Sequence, residues 1–156
     1  MKKILVDLNV ILDFLNKRND HFEAAEIVDL CIEKKIKGYI CAHEITTLAY
    51  FLIKEEKDNN KLKFIINRIL DIFSTISITE TILREALDSR IKDYEDAVIE
   101  SSCLKNEIDY IVSRNLKDFK NSRIKAISPK EYMIDRKSYN SRKAINQGRH
   151  RKSHKN

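Results

Sequence analysis

An α/β fold built on a central parallel sheet is what this sequence predicts, on three observations. Short apolar runs recur at residues 3–6, 38–41, 74–78, 109–113 and 124–127. Charged or helix-patterned sequence separates each run from the next, the alternation that βα units produce. The first run is apolar at consecutive rather than alternate positions and stops at Asp7, as a strand buried on both faces of a parallel sheet does. The expectation is about five short strands flanked by helices, with residues 3–6 as the central strand.

Taken in order, the first long helical pattern after that strand covers residues 22–35 and leads into the strand at 38–41. Two helices follow in succession, 44–56 and 61–73. Ile45, Leu48, Ala49 and Leu52 mark the apolar stripe of the first, and the charged stretch 54–61 is the break between them. Beyond the strand at 74–78 come helices at 80–90 and 94–106, then the last two strands. Ser128-Pro129-Lys130-Glu131 combines the spacing of a capping box with proline at the first helical position, so a last, short helix starts there. The pattern stops after Met133. Residues 1–135 read as the folded domain and 136–156 as a solvated basic tail.

A chain of 156 residues is the size of one domain, able to bury about 68–70% of its unfolded surface. With 42% hydrophobic and 35% charged residues, the composition is globular rather than disordered or membrane-spanning. Cys31, Cys41 and Cys103 lie far apart and form no Cys-x-x-Cys pair, so reduced, buried thiols are expected. Asp7, Asn9 and Asp13 interrupt the opening apolar stretch too early for a signal peptide or a membrane span, which points to the cytoplasm. The only glycines are Gly38 and Gly148, which excludes Gly-rich dinucleotide and Walker loops. The net charge of +6 is unevenly placed: residues 136–156 hold eight Lys/Arg and no Asp or Glu, leaving 22 Lys/Arg against 24 Asp/Glu, or −2, for residues 1–135.

Ligands of open parallel sheets bind outside the carboxyl ends of the strands, and the residues expected there are repeatedly acidic. Asp7 ends the first strand, Glu44 opens the helix after the second, Asp96 falls in the first turn of the helix before the fourth, and Asp118 follows the fourth. Singly, Glu44 and Asp96 need only oppose a helix dipole, and Asp93 is a natural N-cap. Crowded into one cleft they would repel and hold protons tightly unless a cation were bound. Oxygen ligands suit Mg²⁺ or Mn²⁺, so the set argues for a metal where no member does.

The stretches DLNVILDFL, the lone Glu44 after a short strand, EDAVIESSCLKNEIDYIVSRNLKDF and AISPKEYM closely resemble a PIN domain over residues 1–133, most specifically over 96–119. Within that family the chain looks most like the VapC-type toxins of prokaryotic toxin–antitoxin pairs. The resemblance implies a metal-dependent ribonuclease with Mg²⁺ or Mn²⁺ as cofactor, RNA as substrate, a homodimer and a protein antitoxin, with no membrane association. Alternatives within the resemblance are a non-toxin RNA-processing nuclease and a non-catalytic RNA-binding protein. It places the acidic site on Asp7, Glu44, Asp96 and Asp118, with Asp93, Asn9, Ser113 and Asn115 in adjoining positions. Asp7 and Asp96 become the primary metal ligands, and Glu44 either a ligand or the group that orients water. The fourth position falls to Asp118 or Asn115. The implied chemistry is in-line attack of a metal-activated water on a phosphodiester, leaving a 5′-phosphate and a 3′-hydroxyl. A haloacid-dehalogenase-like phosphatase also begins with an Asp after a buried strand, but it would want a second Asp where Asn9 stands.

Ser113 and Arg114 close the fourth strand beside the expected rim, where a hydroxyl can orient water and a guanidinium can hold a phosphate. Arg149, Arg151 and Lys152 in the tail are further candidate RNA contacts. His21 and His43 sit at helix starts without ligand-spaced partners, suiting capping or surface roles. His150 and His154 lie among basic residues, where a metal cation would be repelled. Tyr94, Tyr110, Phe119 and Tyr132 fall at apolar-face spacing, which predicts core packing rather than base stacking.

Overall fold

The structure is a computed structural model, and it describes residues 1–18, 20–56 and 58–152, with side chains described for all of these but 56 and 145–152. Five strands, β1 (Lys3–Val6), β2 (Lys37–Cys41), β3 (Ser74–Ile76), β4 (Tyr110–Val112) and β5 (Ala126–Ile127), form one sheet in the order β3-β2-β1-β4-β5. Every pairing is parallel, with Leu5 registered between Tyr39 of β2 and Ile111 of β4. The helices among the described residues are α1 (Leu8–Leu15), α2 (His21–Ile32), α3 (Ala42–Glu56), α4 (Asn59–Ile72), α5 (Glu80–Ala86), α6 (Tyr94–Lys105) and α7 (Pro129–Lys152). None of them is long and apolar enough to cross a membrane.

The central strand is buried on both sides, as its unbroken apolar run requires. Ile4 and Val6 face a core shared with α1, α2, α3, α4 and α7, while Leu5 faces a second core with α5 and α6. From β1 the chain first builds outward through β2 and β3, then crosses back to lay β4 and β5 on the other side. The order therefore reverses between β1 and β4. That switch point opens a crevice at the carboxyl ends of the two strands.

Local chemistry fixes the helix starts. Asp58 accepts the N–H groups of Asn60 and Lys61, Thr79 that of Ile82, and Asp93 that of Asp96. The capping box at α7 is present in full: the Ser128 hydroxyl accepts the Glu131 N–H at 3.2 Å, and the Glu131 carboxylate accepts the Ser128 N–H at 3.0 Å. The three thiols are free and buried, and burial pushes Cys31 up to about 12.

Several expectations need correction. The eight residues of α1 follow β1 without a linker, so a helix continues the apolar run that suggested only a strand. The last helix is not short: α7 spans 24 residues and runs on through Lys152, its first turns anchored by buried Tyr132 and its side chains at 137–144 exposed, so the extension is helical where described and still solvated. Tyr94 is not a core residue but 46% exposed, with its hydroxyl donating to the Leu83 carbonyl. Phe119 and Tyr132 are buried as expected.

Gly38 is required by close approach. A Cβ there would lie 2.6 Å from Cys31 Sγ and 2.7 Å from Phe73 Cδ1, inside van der Waals contact with α2 and the end of α4. Gly38→Ala should therefore cost about 1–3 kcal/mol through overpacking, read as a lower urea midpoint at unchanged m-value. Cys31→Ala combined with it should cost less than the sum of the two single losses, because one of the clashing atoms is gone. Strict additivity would place the strain elsewhere.

Candidate functional site

At the switch point, Asp7 occupies the N-cap position of α1 yet makes no side-chain cap. Its Oδ2 instead accepts from the Ser113 hydroxyl at 2.5 Å and from the Asn9 amide at 2.7 Å. Ser113 Oγ also accepts from Asn9 Nδ2 and from the Asn115 N–H, and Asn9 Oδ1 accepts the Arg114 N–H. This network ties the end of β1 to the end of β4.

One of the N–H groups orphaned at the start of α1, that of Leu8, is met by Glu44, whose Oε1 accepts it at 2.9 Å. Glu44 Oε2 accepts from Cys41 at 3.0 Å, the reach-back of a third helical residue toward the residue before its own helix. Glu44 is 1% exposed, and burial, with the neighbouring Asp7 charge next, raises it well above the usual carboxylate range. Burial raises Asp7 too, against the hydrogen bonds from Ser113 and Asn9. The two buried carboxyls thus hold protons more tightly than free ones.

Asp96 enters from the first turn of α6, where Asp93 caps the helix through the Asp96 N–H at 3.1 Å. Burial, then the charges of Asp93, Asp7, Asp118 and Glu95, pushes Asp96 up to about 7. Asp93, Asp96 and Asp118 share an open cleft of about 410 Å³ that Lys117 and Lys120 also line. Charge contacts thus link Glu44 to Asp7, Asp7 to Asp96 and Asp96 to Asp118, with Glu44 buried rather than on the open edge. Asn9 and Ser113 hold Asp7, Asn115 bonds Ser113, and Asp93 adjoins Asp96. Asp118 and Asn115 are both exposed.

Among the described residues, no three His, Cys, Asp or Glu side chains close into a ready-made metal cage. The donor set fits Mg²⁺ or Mn²⁺ nonetheless. Such ions take one or two protein carboxylates and complete their octahedron with waters and substrate phosphates, and the mutual repulsion felt by Asp96 is what a bound cation would relieve.

Other polar residues near the rim have partners that the sequence did not reveal. Arg114, the candidate phosphate contact, donates to Asp13 Oδ1 at 2.6 Å, and Asp13 is a 1% exposed acid on α1. A charge inside the apolar run VILDFL was the available signal. Glu100 on α6 is fully buried and accepts from Ser89, the Arg123 N–H and the Arg123 guanidinium. His21 does not cap its helix but lies 3.0 Å from the Phe14 carbonyl through Nδ1. His43 is partly exposed, with Nε2 3.7 Å from the Glu95 carboxylate, but neither ring nitrogen has a hydrogen-bond partner among the described residues, and burial lowers its pKa against the pull of Glu95. The side chains of Arg149, Arg151 and Lys152, like His150 and His154, lie outside the described residues.

Comparison with known proteins agrees with this architecture. Residues 3–117 match the model of the PIN domain, and the chain belongs to that family. No curated protein sequence matches it. Among solved structures, it is similar to VapBC2 from Rickettsia felis bound to a DNA fragment from its promoter, at 17% identity and TM-score 0.63 over 81% of this chain and 98% of that one. A toxin–antitoxin complex from Klebsiella pneumoniae gives 18%, 0.62, 81% and 97% in the same terms. For Mycobacterium tuberculosis VapC20, described as a sarcin–ricin loop cleaving toxin, the values are 14%, 0.57, 78% and 98%.

The rim has a pH signature. Asp96 ionises at about 7 in the folded protein against an ordinary 3.8, so between those values the folded state keeps a proton that the unfolded chain has released. Stability contributed by this group is present below the lower value and is lost as pH rises through the upper one. Asp96→Asn removes that loss. Its melting temperature should match wild type near the low end of the window, exceed it increasingly as pH rises toward 7, and keep a constant advantage above that, where neither state holds the proton. A difference that stays flat with pH would mean that Asp96 is not crowded.

Proposed function

We propose that this chain is a metal-dependent endoribonuclease that hydrolyses RNA phosphodiester bonds, the toxin of a toxin–antitoxin pair. The observation that carries the reading is the acidic rim of a PIN-domain chain at its topological switch point, where Asp7, Asp96 and Asp118 repel one another. Asp7 and Asp96, with Asp118 completing the set, would hold a Mg²⁺ or Mn²⁺ ion, which would supply a water nucleophile at neutral pH and screen developing charge. Asn9 and Ser113 fix the orientation of the Asp7 carboxylate. Glu44, with both oxygens on backbone N–H groups, acts as the positioning residue that holds Asp7 at the rim. Arg114, steadied by Asp13, receives a substrate phosphate, and Arg149, Arg151 and Lys152 add further RNA contacts. Water attacks phosphorus in line with the departing 3′ oxygen, leaving a 5′-phosphate.

A homodimer and a protein antitoxin belong to this reading, as does a place in the cytoplasm. Support for the partners comes from large apolar side chains left exposed on α3 and α4, among them Tyr50, Ile53 and Phe64, and from the toxin–antitoxin complexes among the structural neighbours.

The test is incubation of purified protein with tRNA, rRNA and single-stranded oligonucleotides, with Mn²⁺ or with chelator. Cleavage should require the metal, and Asp7→Asn and Asp96→Asn should each fall to the level seen with chelator while remaining folded. Wild-type rates in either variant, contaminating ribonuclease excluded, would refute the assignment. Asp118→Asn should lose more activity than Asn115→Ala, because Asp118 shares the cleft with Asp96.

Metal binding should also show without activity. A ligand that binds only the folded state stabilises it by about 2.7 kcal/mol at a hundred times its Kd. Mn²⁺ should therefore raise the melting temperature of wild type and raise that of Asp96→Asn much less. Equal shifts would put the ion elsewhere.

A further inference from the structure

The opposite end of the sheet holds a larger cleft, about 630 Å³, between the amino ends of β1 and β4 and the first half of α7. Helical spacing puts Tyr132, Arg136, Tyr139 and Lys143 on one stripe of α7, and all four line the cleft with Lys2 and Tyr110. Tyr110 forms part of the wall: Lys2 and Lys125 place their ammonium groups 5.8 and 5.7 Å from its ring, and Tyr132 meets it edge-on at 5.9 Å. Tyr139 stands free, 66% exposed.

The two acids of the cleft are already neutralised. Asp109 accepts from Lys2 at 3.0 Å and from the Lys3 N–H at 2.8 Å, and Asp135 is met by Lys125 at 3.4 Å. Lys35 is paired with Glu33. Arg136 lies against the Tyr132 hydroxyl, and neither it nor Lys143 makes an ion pair among the described residues. Two cations without an acidic partner among the described residues therefore flank an exposed aromatic ring. Cations that track a backbone beside rings on which bases stack are the recognition chemistry of single-stranded nucleic acid. An acidic peptide would use the cations but leave the ring idle.

We propose that this cleft is a second RNA-contacting site, remote from the acidic rim, in which a base of a single-stranded segment stacks on Tyr139 and adjacent phosphates meet Arg136 and Lys143. The proposal rests on the RNA substrate class inferred above but not on the metal or on cleavage.

The test measures binding alone. The full chain carrying Asp96→Asn is titrated, in EDTA, into a fluorescein-labelled octamer of uridylate, and anisotropy is read over a series of salt concentrations. Tyr139→Ala should weaken binding about 5- to 150-fold, the range that loss of one base–aromatic stack produces. Tyr139→Phe, which keeps the ring, should bind as the parent does. Lys143→Ala, and its combination with Arg136→Ala, should flatten the slope of log K against log salt by about 0.7 for each phosphate contact removed. Unchanged affinity in Tyr139→Ala, or equal losses in the Ala and Phe variants, would overturn the stacking site. So would a polyglutamate competitor that displaces the octamer equally well from the parent and from Tyr139→Ala. If the octamer binds as described but RNA is never cleaved, the nuclease reading fails and the cleft stands. Cleavage with unaltered binding in the cleft variants has the opposite meaning.

Discussion

The amino ends of two helices hang on one carboxylate, and the acidic rim depends on it. Glu44 accepts the Leu8 N–H at the start of α1 and the Cys41 N–H at the start of its own helix. A helix start leaves N–H groups that its own turns cannot satisfy, and an Asp in the N-cap position would ordinarily meet one of them. Glu44 meets the N–H of Leu8, the first helical residue, which an N-cap side chain does not reach, while Asp7 turns its carboxylate to Asn9 and Ser113 between β1 and β4. Truncating Glu44 would orphan two buried donors at about 1–3 kcal/mol each.

The same fold treats a structural acid differently, and the contrast separates the two kinds. Burial alone would raise Glu100, yet hydrogen bonds from Arg123 and Ser89 carry it below its ordinary value. Its charge is matched where it sits. Asp96 is pushed up to about 7 by burial first and then by the unmatched charges of Asp93, Asp7 and Asp118. A carboxyl raised in this way opposes folding once ionised, and such groups persist where their charge has a use. The amino ends of α1, α3 and α6 all point toward the rim, so helix dipoles offset part of the repulsion without removing it.

How much of this was legible follows from where the physical signals lie along the chain. Parallel strands buried on both faces announce themselves as unbroken apolar runs, and the order of strands and helices could be read from them. The acids of the rim were legible for a related reason: each falls at a strand end or in a first helical turn, positions that topology gathers at one edge. Helix ends were not. Helices commonly stop at a glycine in the left-handed region, whereas here Lys17, Lys34 and Glu107 take that role at φ 49°, 54° and 54°, and nothing in their identity marks a stop. The helix α1 was hidden because no turn residue separates it from β1. Asp13 with Arg114 and Glu100 with Arg123 were illegible in a stronger sense, since each pairs residues 101 and 23 positions apart that only the finished fold brings together. Glu44 lies between these cases: its place at the rim could be read, but its double hold on two helix starts could not.

The distribution of charge adds a constraint that neither end of the sheet meets alone. A polyanion approaching the acidic rim is repelled by the groups that would hold the metal, and within a Debye length, about 8 Å at physiological ionic strength, that repulsion is felt. Residues 1–135 carry −2, whereas residues 136–156 carry eight cations and no acid. In a flexible tail those cations would be spread through solvent. Seven of the eight fall within α7, a helix that rises about 1.5 Å per residue, and its inner stripe lines the far cleft while its later turns continue through Lys152. Under the proposed function, attraction and chemistry would fall to opposite edges of one short sheet. An acidic site can then act on an acidic polymer only if contacts away from the reacting phosphate supply the binding energy that the site itself does not.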